Sequence, residues 1–314
     1  MSENRTEQNP ASRPGLYQEI TDKIIRQIEA GTIPWVQPWA EDQTLSIPRN
    51  ATTNRAYSGV NILLLWDALF ERNFSVNRWL TFKQALQFGG NVRKGERGTT
   101  VVYADTFTPK KNGGAAGTAS TGSDTGGDDS GRRVPFLKRF TVFNVAQCDG
   151  LPFDTTVQPK QVSQRLPIPA AEALIAATGA QFPRDDTKAY YHTGTDSIHT
   201  PPQESFFEPI NFYRTALHEL THWSGAKHRL NRDFTGRFGS TAYAREELVA
   251  EMGSAFLCAS LGIVPTVRHA DYIGNWLEVL KNDSRAIVSA ASHASKASDF
   301  LLAFTDSRDT EIAA

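Results

Sequence analysis

The sequence predicts an α+β protein in two domains: a mixed α/β domain over residues 16–150 and a mainly helical domain with a small sheet over 170–314. Three observations carry this expectation. Apolar residues recur at helical spacing through most of the C-terminal half, and two runs rich in β-branched and aromatic residues stand close together in the N-terminal half. Between the halves, residues 151–169 form a Pro- and Gln-containing stretch that reads as a linker. A chain of 314 residues can bury one large core or two medium ones, and domain size favours two.

Residues 1–15 are polar and are expected to be disordered. The first helix should span 16–30, where Ile20, Ile24, Ile25 and Ile28 share a face and Gly31 ends it. A second helix carries Ile62, Leu65, Trp66 and Leu69 on one face. A third runs over 82–88, with Thr81 as N-cap and Gly89-Gly90 as terminator. Residues 99–107 and 134–145 read as antiparallel strands. Between them, residues 109–131 are Gly, Ser, Thr, Ala and Asp for the most part, too polar to offset their ordering entropy, and read as a disordered insertion. In the C-terminal half, 170–178, 211–224, 242–261 and 271–304 are helical in pattern, and 189–199 reads as one extended segment.

The net charge of −1 excludes a strongly basic protein that holds nucleic acid through bulk charge alone. Residues 1–150 nevertheless carry 18 Lys/Arg against 15 Asp/Glu, which leaves +3 there and −4 in the remainder. The two cysteines, Cys148 and Cys258, are far apart and suggest small core residues rather than a disulfide or a thiolate metal site. No secretory signal and no membrane-length apolar run is present, so a cytoplasmic protein without a membrane partner is expected.

Residues 218–222 read His-Glu-Leu-Thr-His, the zinc-site spacing of the zincin hydrolases. At i and i+4 on a helix, His218 and His222 project from one face and can share an ion. Glu219 stands beside the first ligand as a general base for a metal-activated water. Zinc is the expected ion, with another divalent metal such as Mn²⁺ as the alternative. Two histidines in a helix can arise by chance, but Ala216, Leu217, Leu220 and Trp223 supply the apolar surface that would bury this one.

An open site needs a third protein ligand, and two main candidates stand in the sequence. His228 completes a metzincin-like His-x-x-x-His-x-x-Gly-x-x-His with Gly225 at the turn. Glu247 is favoured over it, because Met252, the one methionine after Met1, lies inside a helical run and cannot form a metzincin methionine turn. In Glu247-Leu-Val-Ala-Glu251 the carboxylates lie one turn apart, as in gluzincin-type peptidases, with Glu251 orienting a histidine from behind or serving as ligand itself. Glu246 reads as a solvated helix-face charge.

Tyr17-Gln-Glu-Ile-Thr with Gly31 and the Trp35/Trp39 pair, then Asn54, Tyr57, Gly59 and Asn61, then His218-Glu-Leu-Thr-His-Trp-Ser-Gly225 with Arg229-Leu230 and Glu247 to Glu251, resemble the ArdC antirestriction proteins of conjugative plasmids. The resemblance covers nearly the whole chain. It implies an N-terminal domain that binds single-stranded DNA and a C-terminal zincin domain similar to those of SprT-like and DNA-repair proteases. It further implies protection of incoming plasmid DNA during conjugation, with a protein substrate or restriction component as a second partner.

Single-strand binding needs aromatic faces and scattered cations. Trp35, Trp39, Tyr57, Trp79 and Phe82 lie among Arg55, Lys83, Arg93, Lys94 and Arg97, and Arg93-Lys94-Gly-Glu-Arg97 forms a basic turn suited to phosphate. Composition alone leaves open whether the tryptophans are core residues and the charges a solvated face; the resemblance favours DNA. Two further readings compete: a DNA-binding protein that blocks restriction by occupancy or mimicry around a structural metal, and a peptidase with no DNA role.

Overall fold

A computed structural model describes residues 15–36, 45–107, 134–152, 169–184, 186–237, 239–266 and 272–312. The insertion 109–131, Trp39, nearly all of residues 1–15 and most of the expected linker lie outside the described residues. The chain runs α1 (Leu16–Glu29), β1 (Arg49–Asn50), α2 (Val60–Glu71), β2 (Arg78–Leu80), α3 (Phe82–Gln87), β3 (Asn91–Val92), β4 (Thr99–Phe107), β5 (Val134–Asn144) and β6 (Cys148–Asp149). There follow α4 (Pro169–Thr178), β7 (Tyr190–His192), β8 (Ser197–His199), α5 (Pro209–Ser224), α6 (Thr241–Leu261), α7 (Ile273–Asn282) and α8 (Ala286–Ile312).

The N-terminal sheet has the order β1-β2-β5-β4, with β1 parallel to β2 and the other pairs antiparallel. Its longest ladder joins β4 to β5 from Thr99 opposite Val142 to Phe107 opposite Val134. Helix α2 is fixed to this ladder by Asn61, whose amide donates to Val102 O at 2.8 Å and accepts from Val102 N–H at 2.7 Å. Thr81 caps α3 with a capping box to Gln84.

Two expected elements differ. The segment 189–199 is a β7-β8 hairpin rather than one strand, because Asp196 adopts φ 53° and reverses the chain. The helix expected over 271–304 is broken between Asn282 and Ala286, where Asp283 accepts from the Arg285 N–H and opens a second helix.

The two halves share one apolar core. Ile24 of α1, Leu65 and Trp66 of α2, Val142 of β5, Met252 and Phe256 of α6, Trp276 of α7 and Ala291 of α8 belong to one buried cluster. Trp66 meets Phe256 edge-on at 5.6 Å, and Trp35 meets Trp276 at the same distance. Polar contacts reinforce the junction: Gly59 N–H donates to Ser295 Oγ at 2.7 Å and Thr21 Oγ1 to Ser284 O at 2.7 Å.

Helix α6 is the centre of this arrangement, buried along most of its length between α5, α8 and the N-terminal half. It approaches α5 closely at Gly253. A Cβ there would stand 2.5 Å from Thr221 Cγ2, inside any normal contact. Gly253→Ala is therefore expected to force the helices apart and lower stability by about 1–3 kcal/mol, measured by denaturant unfolding, with a larger loss for Gly253→Val.

Candidate metal centre

Helix α5 begins at Pro209, which suits the first turn because its missing N–H has no partner there anyway. From Thr215 onward every residue of α5 is buried, His218, Glu219 and His222 among them. The two imidazoles lie one turn apart with ring centres 4.9 Å apart, and both face α6. Glu247 of α6 sits between them, its oxygens 3.5 Å from His218 Nε2 and 3.6 Å from His222 Nε2.

The opposite ring nitrogens also face carboxylates. Glu251 Oε1 lies 3.8 Å from His218 Nδ1, and His222 Nδ1–H donates to Glu246 Oε1 at 3.2 Å. Glu246 is in turn gripped by the buried Arg232, at 2.8 Å from Nη2 and 3.1 Å from Nε. The same guanidinium donates to Ser224 Oγ at 3.0 Å and to the Thr221 carbonyl. Glu246 is thus 8% exposed rather than solvated, because it faces α5 at His222 and is covered by Arg232.

His228 does not join the cluster. Its side chain is 64% exposed and lies 3.4 Å from Asp196. Arg229 holds that turn outward: its guanidinium stacks 3.7 Å over the Trp223 ring and donates to Asp196 Oδ2 at 2.9 Å, holding that carboxyl down to about 2. Gly225 serves a different end from a metzincin turn. A Cβ on it would stand 2.7 Å from Arg232 Cζ, so glycine leaves the space through which Arg232 reaches Glu246.

The donor set fits a divalent ion on two counts. His218, His222 and Glu247 offer ligand atoms all within 4.8 Å of one another, and ligands about 2.0–2.1 Å from a tetrahedral ion stand about 3.4 Å apart. Charge gives the second. Glu219, Glu246, Glu247 and Glu251 are all buried here, and Arg232 is the buried arginine bonded among them. Burial alone would disfavour the charged His222 imidazole, but Glu247 and Glu246 outweigh it and raise the ring to about 10. Burial would raise the Glu247 carboxyl, but His222 and His218 outweigh it and hold that group well below the usual carboxylate range.

The cluster opens into a cleft of about 260 Å³, bordered by Tyr190 and Tyr191 of β7, Phe234 and Tyr243. Burial, the Tyr272 hydroxyl at 3.4 Å and the Glu247 carboxylate all raise the Tyr243 phenol, which stays protonated as a hydrogen-bond donor. Neither Tyr243 nor Arg232 carried a sequence signal.

The N-terminal aromatics are placed differently from expectation. Trp35 and Trp79 are wholly buried, Trp79 against Phe74 with its indole N–H on Asn77, so neither can stack on a base. Tyr57 is half-buried, while Arg55, Lys83, Arg93, Lys94 and Arg97 are exposed. Arg93 is committed to ion pairs with Glu96 and Asp149. Among the described residues of this half, the exposed large apolar side chains are Phe82, Leu86 and Phe88 at α3, with Tyr103 and Phe140 on the β4-β5 ladder. Among the described residues no helix is long and apolar enough to cross a membrane.

A helix bearing His-Glu-Leu-Thr-His, crossed by a second helix that offers a carboxylate to both imidazoles, defines a zincin-like metallopeptidase domain. Residues 169–293 match the family model of that description, and residues 14–143 match the N-terminal domain of anti-restriction factor ArdC. The chain belongs to the ArdC family of antirestriction proteins. It is 38% identical to the antirestriction ArdC protein of plasmid R388, whose metal-free and Mn(II)-bound crystal structures match with TM-scores of 0.75 and 0.73, covering 93% of this chain and 98% of that one. An uncharacterized protein of Sinorhizobium fredii, y4eC, is 39% identical over 96% of this chain and 95% of its own length. A DNA primase TraC of Escherichia coli is 38% identical over 92% of this chain, which spans 27% of that longer protein.

Removing the support behind His222 should weaken metal uptake without touching a ligand. Glu246→Ala or Arg232→Met is expected to reduce divalent-metal affinity by about 10–100-fold in calorimetric titration, whereas His228→Ala leaves it unchanged.

Proposed function

We propose that this protein shields incoming plasmid DNA from restriction as a divalent-metal-dependent peptidase acting on a protein held near single-stranded DNA. The observation that carries the peptidase part is the convergence of His218, His222 and Glu247, with Glu219 beside them in an open cleft. Membership of the ArdC family and the Mn(II)-bound relative support a divalent ion in that place. An ion there supplies Lewis acidity, and an imidazole and carboxylate set suits zinc and manganese alike. Glu219 takes a proton from the attacking water onto its carboxylate and returns it to the leaving amine. Glu251 and Glu246 fix the two imidazole rings from behind, and the neutral Tyr243 hydroxyl faces the same space as a donor to a developing oxyanion.

Glu219→Gln preserves shape and removes the base. Cleavage of a protein substrate should fall by about 10²–10⁴-fold, and protection in a conjugation assay should fall with it. Full protection by a folded, metal-loaded Glu219→Gln protein would favour blocking by occupancy instead.

Single-stranded DNA is assigned to the face around α3. Phe82 and Phe88 offer exposed rings, Phe82 packs edge-on against Phe143, and Lys83, Lys94 and Arg97 supply cations for phosphate. In titrations of the full chain, affinity for single-stranded oligonucleotides should fall as salt rises. Phe82→Ala should weaken it by about 1–3 kcal/mol, and Lys83→Ala with Arg97→Ala should flatten the salt dependence.

A further inference from the structure

The cleft over the metal-ligand cluster continues into a second cavity of about 540 Å³. Its size falls within the range of about 300–1,000 Å³ common to ligand pockets. The two spaces share Tyr190, His218, Glu219 and Tyr243, so an occupant of the second lies against the side chain that moves the proton. Phe206, Tyr272, Pro201 and the buried Thr215 complete the wall, with Lys188 exposed at the rim. Four aromatic rings, Tyr190, Phe206, Tyr243 and Tyr272, therefore face one cavity.

Strand β7 borders both spaces through Tyr190, as does Ala189 just before it. Its ladder to β8 uses one edge, and among the described residues no strand pairs with the other. A strand at the edge of a sheet beside a cleft can add an extended polypeptide, whose alternate side chains then fall into adjoining pockets.

We propose, resting on the peptidase reading above, that this cavity is the specificity pocket of the centre, receiving the aromatic or large aliphatic side chain next to the bond to be cut. Aromatic walls suit such a side chain through apolar burial and edge or stacked ring contacts. An acidic side chain is excluded by Glu219, which borders the pocket, and by Glu247 in the adjoining cleft. A nucleobase would find rings to stack on, but its phosphate would lie close to the same carboxylates, with Lys188 the one cation among the described residues that line the cavity. The occupant is a peptide side chain.

The test uses the full-length, metal-loaded chain carrying Glu219→Gln, which holds peptides without turning them over. A library of short peptides, each position in turn set to Phe, Leu, Ala, Lys or Asp, is titrated by fluorescence, with a single-stranded oligonucleotide as competitor. One position should prefer Phe or Leu over Ala by about tenfold or more, since even one methylene in an apolar pocket is worth that much. Tyr272→Ala should reduce the preference, and Thr215→Met, which narrows the pocket, should move it towards Ala; having two variants guards against one failing to fold. Peptides that bind with no preference at any position, or a preference untouched by both variants, would overturn the pocket and leave the peptidase reading standing. Failure of every peptide to bind, together with no cleavage by the wild-type chain, would overturn both. Displacement of bound peptide by the oligonucleotide in a Tyr272-dependent manner would assign the pocket to a base instead.

Discussion

The close crossing of α5 and α6 is the constraint on which the candidate centre rests. Both histidines project from α5, and Glu246, Glu247 and Glu251 project from α6, so the separation of the two helix axes sets every distance between ligand atoms. Thr221 stands one residue before His222, and Gly253 two residues after Glu251. Their contact fixes the spacing of the imidazoles from Glu247 with no flexible loop between support and site. Ligands on two packed helices are held more tightly than ligands on loops, which favours a preorganised site.

That crossing brings like charges together. Buried carboxylates repel and lose hydration, and they persist only where hydrogen bonds or cations compensate. Arg232 compensates Glu246, and the two imidazoles face the others. The raised His222 shows how strongly the cluster favours positive charge. A divalent ion relieves the same imbalance, so metal binding and protonation of His222 compete for one electrostatic need.

Local elements were legible in the sequence because their signals are local. Thr81 is the expected N-cap of α3, and the β4-β5 ladder follows from two runs rich in β-branched and aromatic residues. The features that failed depend on distant partners. Whether Trp35 faces solvent is decided by Trp276, some 240 positions later in the chain. The outward turn of His228 is decided by Arg229 stacking on Trp223 and bonding to Asp196 across the β7-β8 turn. Arg232 sits in an irregular segment without periodicity, and nothing in its neighbours announces that Gly225 clears its path. The choice between Glu247 and His228 had rested on a negative, the lack of a methionine turn; the helix crossing supplies a positive reason why Glu247 faces both imidazoles.

The shared core has a consequence for how such proteins are inherited. Trp66 leans on Phe256, Gly59 is tied to Ser295, and α6 touches both halves, so a break between them would expose apolar surface on each side. A genetic fusion can therefore join new sequence to either flank far more readily than it can recombine one half with a foreign partner. The TraC primase fits that rule, since 92% of this chain recurs within it as one block, both halves carried together into a larger protein.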